Sequence, residues 1–154
     1  MSSSLLVDAN LLVLWAVGAV SQTLISRHKR LSAYVEGDYK VLSDFMAGYD
    51  SIAVTPNAMS EASNLARHIG EPARGEVAMV LARIAETSKE FYVTSASAVA
   101  RNEYRYLGLT DAAILEIDDV HLLTDDLDLL VAALSQGKTC FNFTHLREAA
   151  GTTS

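Results

Sequence analysis

The sequence predicts an α/β fold: a parallel sheet of about five strands with helices packed on its faces. Three observations carry this prediction. Short apolar runs recur along the 154 residues, and each leads into a helical stretch. Such alternation produces parallel strands joined by crossover helices, buried on both sides. Cap and turn residues punctuate the alternation. Acidic residues stand where strands hand over to helices, and in a parallel sheet those places share one edge, beyond the carboxyl ends of the strands.

The elements follow in order. Leu5–Val7 reads as a short buried strand. Asn10 begins a helix that Asp8 or Asn10 can cap, with Gly18 as a point of bending. Helical stretches from about Ser21 to Val35, and from beyond Gly37-Asp38 to Gly48, follow; Leu42, Phe45 and Tyr49 keep helical spacing in the latter. Ser51–Val54 is the second strand. Thr55 and Pro56 are the cap and first turn of a helix carrying Ala58, Ala62, Leu65 and Ile69 at helical spacing. Pro72 opens a helix whose inner face is Val77, Val80, Leu81 and Ile84. Phe91–Thr94 is the third strand, and Ser95–Leu107 is helix-compatible but weakly patterned. Thr110 caps a helix starting at Asp111. Val120–Leu123, a helix over Asp126–Leu134 closed by Gly137, and a strand over Thr139–Phe143 complete the chain. Residues 1–150 are expected to form a single domain, with Gly151–Ser154 a frayed tail.

Half of the residues are hydrophobic, which argues against disorder. The formal charge is −7, so a broad phosphate-binding surface is not indicated by composition. The single cysteine, Cys140, forms no internal disulfide and no thiolate zinc site. The apolar run Leu11–Val20 is too short to cross a bilayer. No secretory signal is evident, because Asp8 interrupts the first apolar stretch. A cytoplasmic protein without membrane attachment is the expectation.

Asp8, Glu61, Asp111 and Asp126 are the candidate site. Each has a plain structural reading: Asp8 and Asp126 as helix caps, Asp111 as a first-turn carboxylate favoured by the helix dipole. Glu61 shares a helix face with Ala58 and Leu65, so its register turns it inward, with a solvent-exposed edge of the helix as the other reading. Four carboxylates at one sheet edge repel one another unless a hard cation neutralises them, and hard cations take oxygen ligands. This points to divalent-metal chemistry on a phosphodiester. Asn10 is placed to orient Asp8 or hold a water, Thr124 to donate a hydroxyl, and Asp128 to act as an outer ligand or a solvated helix residue.

The words LLVDANLL, VTPNAMSEASNL, LGLTDAAI and LLTDDLDLL, in that order, together with NFTHL near the end, resemble the PIN domain family, the nucleases of VapC-type toxins. The resemblance implies a three-layer α/β/α sandwich and Mg2+- or Mn2+-dependent endoribonuclease activity. Its acidic positions carry over to Asp8, Glu61, Asp111 and Asp126, and its Thr-x-Asp word to Thr124 and Asp126, with Asp125 between them. It also implies an RNA substrate, a small antitoxin partner as in a VapBC-type toxin–antitoxin pair, and a homodimer, for which Trp15, Tyr34, Phe45 and Met46 are candidate apolar contacts. The stretch between Asp8 and Glu61 is long for a compact toxin.

Two other readings stand beside this one. One is a PIN-like module that binds a partner without cutting. The other is a phosphotransfer domain using Asp8 as acceptor, which needs a lysine after a late strand; Lys138 precedes the last one. For RNA contact, the dense basic run Arg27, Lys29 and Arg30 is a candidate, though a solvated helix face is its plainer reading, and the helically spaced pair Arg101 and Arg105 is a second, less supported one. Tyr104 and Tyr106 are available for stacking on bases or for packing helices together.

Overall fold

A computed structural model describes residues 3–152. Five strands, β1 (Ser4–Val7), β2 (Ser51–Val54), β3 (Lys89–Glu90), β4 (His121–Thr124) and β5 (Cys140–Asn142), form one sheet in the order β3-β2-β1-β4-β5. Every pairing is parallel, with Leu6 opposite both Ala53 and Leu122. The helices are α1 (Ala9–Val20), α2 (Asp38–Ala47), α3 (Pro56–Ala66), α4 (Ala73–Thr87), α5 (Ser95–Val99), α6 (Tyr104–Leu107), α7 (Leu109–Leu115), α8 (Leu127–Ser135) and α9 (Phe143–Ala150).

Side chains alternate across the sheet with period two, and each face has its own core. Leu5 and Val7 point into one cluster, with α1, α3, α4 and Phe143 of α9. Leu6, Ala53 and Leu122 point into the other, with Ile114 and Leu115 of α7 and Leu129 and Ala132 of α8. The result is the three-layer α/β/α sandwich expected. Helix α1 is apolar nearly all round because other helices flank it on several sides: α2, α3 and α4 all pack on it. No helix among the described residues is long and apolar enough to cross a membrane. Gly18 is required by contact: a Cβ there would stand 2.2 Å from the Tyr39 ring, which lies directly on α1.

Several expected elements differ. The helix expected over Ser21–Val35 is instead two 3-10 turns, Gln22–Arg27 and Lys29–Leu31. His28 separates them with extended backbone; its ring accepts the Arg30 N–H and bonds to the Ala66 carbonyl. The third strand is only Lys89–Glu90, earlier and shorter than Phe91–Thr94. Phe91 gives one further bond to the Val54 carbonyl, after which Phe91 and Val93 serve as core anchors. Ser95–Leu107 splits into α5 and α6.

Helix α7 starts at Leu109, because Gly108 takes a positive φ of 85° there, so Thr110 lies inside the helix and is not its cap. The last strand ends at Asn142, which caps α9, a helix the sequence reading omitted. Gly151 closes α9 in the left-handed conformation, and the Thr152 hydroxyl donates to Asp38. Residues 153–154, the rest of the expected tail, lie outside the described residues.

Candidate functional site

The sheet order changes direction at β1: β2 lies on one side and β4 on the other. In open parallel sheets the crevice beyond the carboxyl ends at such a switch is where ligands bind. Asp8 follows β1 directly, and Asp125 and Asp126 follow β4.

Asp8 is buried. One carboxylate oxygen caps α1 by accepting the Leu11 N–H at 3.2 Å. The other accepts the Thr124 hydroxyl and the Asp125 N–H, the latter at 3.4 Å. Burial dominates and pushes its pKa up to about 6, against the lowering effect of those hydrogen bonds. Thr124, itself buried, links two acids: it donates to Asp8 and accepts the Asp126 N–H at 2.9 Å. Asp126 in turn caps α8, one oxygen accepting the N–H groups of Asp128 and Leu129 at 2.9 and 3.3 Å. The cap readings of Asp8 and Asp126 therefore hold together with a shared location.

Asp111 lies in the first turn of α7, and its carboxyl is pushed up to about 7. Burial is the first cause; the charges of Asp126, Asp8 and Glu61 follow, then a carboxyl–carboxylate hydrogen bond with Asp126. Three of the predicted acids thus act electrostatically on the fourth, Asp111, and no cation figures among the causes at Asp111 or Asp8. Glu61 is exposed, which corrects its expected inward register. It is held from α7 by the Thr110 hydroxyl at 2.8 Å, a contact not anticipated from the sequence. Among the described residues no three carboxylate, imidazole or thiolate groups stand as a preformed ligand cage.

The supporting residues divide. Asn10 is exposed on the first turn of α1, and Asp8 is oriented by Thr124, Leu11 and Asp125 instead. Asp128 is exposed on α8 beside Asp126. Asp125 belongs to a structural cluster missed by sequence reading: its carboxylate accepts the hydroxyls of Tyr34 and Thr144. Arg147 stacks over Tyr34 and pairs with fully buried Asp38 at 2.9 Å. Arg147 was never a candidate, and its isolated position in the sequence gave no signal.

Among the candidate RNA contacts, Arg27, Lys29 and Arg30 are exposed on the 3-10 turns. Arg101 precedes α6 and is committed to Glu103, Glu116 and Gln136, so it shares no helix face with Arg105. Tyr104 and Tyr106 are exposed and do not pack helices together. Tyr34 and Met46 are buried, and Trp15 and Phe45 are partly buried against the same core, so this quartet forms no free apolar face. His28 and His121 have structural hydrogen bonds, the latter with the Tyr49 hydroxyl. Lys138 is bonded to the Ile117 carbonyl and Asp118, at the amino-terminal end of β4 and away from Asp8. The thiol of Cys140, pushed up to about 11 by burial and then by Asp8, stays protonated at neutral pH.

Fold and site together define a doubly covered parallel α/β domain with Asp8 and Asp126 at the carboxyl ends of the strands that flank its switch point. No family model matches the chain, and no curated protein does. Among solved structures, the crystal structure of PAE2754 from Pyrobaculum aerophilum is similar, with a TM-score of 0.56 and 19% identity. The match covers 97% of this chain and 90% of that one. At this identity the likeness is one of fold.

Proposed function

We propose that the chain is a divalent-metal-dependent endoribonuclease of the PIN type. One observation carries the reading: Asp126, Asp8 and Glu61, from separate parts of the chain, all act on Asp111 strongly enough to help hold its pKa near 7. A carboxyl whose proton affinity is raised by neighbouring acids costs stability unless it serves a ligand.

The donor set fits Mg2+ or Mn2+, being all oxygen and in no salt bridge among the described residues. Asp8, Asp111 and Asp126 would hold the ion, with Glu61 reaching it through water. When bound, such an ion lowers the pKa of water and neutralises charge on a phosphodiester. The protein's own part is positional. Thr124 keeps Asp8 and Asp126 in register, and the Thr110 hydroxyl keeps Glu61 turned to the same crevice. A small antitoxin, a second copy of the chain and a toxin role remain attached to this reading through the resemblance alone. The placement of Lys138 argues against the aspartyl-phosphate alternative.

The test is cleavage of a mixed RNA pool with Mg2+, with Mn2+ and with chelator, comparing wild type with Asp111→Asn. Metal-dependent cutting that the variant loses supports the proposal. Two folded, inert proteins that also fail to bind either metal would favour a binding module of the same fold.

A further inference from the structure

In a chain with a net charge of −7, one recess has only basic side chains as its charged walls. Lys29, Arg67, His68 and Arg74 line it, with Ile69 and Gly70 between them, around a volume of about 330 Å3. Three separate segments build it: the second 3-10 turn, the end of α3 with the loop after it, and the start of α4. Among the described residues the cations engaged in ion pairs are Lys40, Arg101, Lys138 and Arg147, so Lys29, Arg67 and Arg74 have no carboxylate partner.

Cations gather at helix C-termini to satisfy carbonyls and the dipole. Here that need is met by other atoms. The His28 ring takes the Ala66 carbonyl, and Arg74 Nε takes those of Arg67 and Ile69 at 3.2 and 3.0 Å. The side chains of Lys29, Arg67 and His68 are surplus to it. The same contacts brace the recess, because Arg74 is fixed by two hydrogen bonds. Crowding of like charge also shows at buried His28: burial is the main cause of its lowered pKa, and His68 and Arg30 add to it.

Glu61 and Asn64 lie on the exposed edge of α3, and His68 lies in the loop that follows the helix. The geometry points to a phosphate subsite: Lys29, Arg67, His68 and Arg74 seat a backbone phosphate of a single-stranded RNA. The identity of the strand rests on the nuclease reading above; the recess itself does not.

The experiment measures binding of a fluorescent single-stranded RNA to the full chain in chelator at a series of salt concentrations. Wild type is compared with Lys29→Gln/Arg67→Gln, with His68→Ala and with Arg83→Gln, an exposed α4 control. Circular dichroism confirms that each is folded. The expected result is weaker binding by the recess variants. Their dependence of log affinity on log salt should become shallower by about 0.7 for each phosphate no longer neutralised. The control should match wild type. Unchanged affinity and slope in both recess variants, equal weakening in the control, or no strand binding by wild type overturns the subsite. Cutting of the same strand with Mg2+ or Mn2+ is scored separately. Recess-dependent binding without cutting refutes the nuclease reading alone, and cutting with recess-independent binding refutes the subsite alone.

Discussion

Asp111→Asn should make the metal-free protein more stable. The wild-type carboxyl is held up at about 7 against an ordinary 3.8, chiefly by burial and then by Asp126, Asp8 and Glu61. At about 1.36 kcal/mol per tenfold change in proton affinity, that gap corresponds to roughly 4 kcal/mol. Partial exposure and the proton shared with Asp126 reduce it, so about 2 kcal/mol is expected at pH 8. An asparagine keeps the size, removes the charge and can donate an N–H to Asp126 where the shared proton was.

The pH dependence has a definite sign. A carboxyl whose pKa is raised by folding contributes its full stability below the unfolded value, near pH 4, and loses it as pH rises through about 7. The variant's advantage should therefore be near zero at pH 4, grow through pH 5 to 7 and level off above. For a chain of this length, about 2 kcal/mol corresponds to roughly 4–8 °C in Tm. Thermal denaturation in chelator at pH 4, 6 and 8 reads it directly. A variant no more stable than wild type at pH 8, or one with a gain independent of pH, would refute the electrostatic account of the crevice.

Three further perturbations have clear outcomes. Mg2+ or Mn2+ at about a hundred times its dissociation constant should stabilise wild type by about 2.7 kcal/mol at pH 8 and do little for Asp111→Asn, as read by Tm against metal concentration. Thr124→Val removes the hydroxyl joining Asp8 to Asp126; a loss of about 1–3 kcal/mol in urea denaturation is expected, with a further rise in the Asp8 pKa seen by carboxyl NMR. Gly18→Ala drives a methyl into the Tyr39 ring, and overpacking of about 1–3 kcal/mol should follow, largely relieved by pairing it with Tyr39→Ala in a double-mutant cycle.

Asp8, Asp111 and Asp126 were legible in the sequence because each sits at or near a helix start, where burial pattern and cap chemistry change together. The orientation of Glu61 was not legible: helical register favoured an inward face over an exposed edge, and its contact with Thr110 lies on the exposed edge. β3 was misplaced because two ladder residues carry no periodicity, and apolar Phe91 and Val93 beyond them mimic a strand. The break at His28 was hidden for a different reason. Its cause is the Ala66 carbonyl, 38 positions away. The basic recess was half visible as the Lys29 run, and its other walls meet that run only after α3 has packed.

β1 is the first strand of the chain and the middle strand of the sheet. Its partner on one side, β4, lies far along the sequence: Asp8 and Thr124 are 116 positions apart. A chain emerging from the ribosome can pair β1 with β2 and bury α1 early, while the other edge of β1 stays open until β4 emerges. Folding that depends on such a distant pairing is slow. It also means that the acidic set is incomplete until β4 is made, so an interrupted chain ending before β4 has Asp8, Glu61 and Asp111 but no Thr124 or Asp126 to bring them into register.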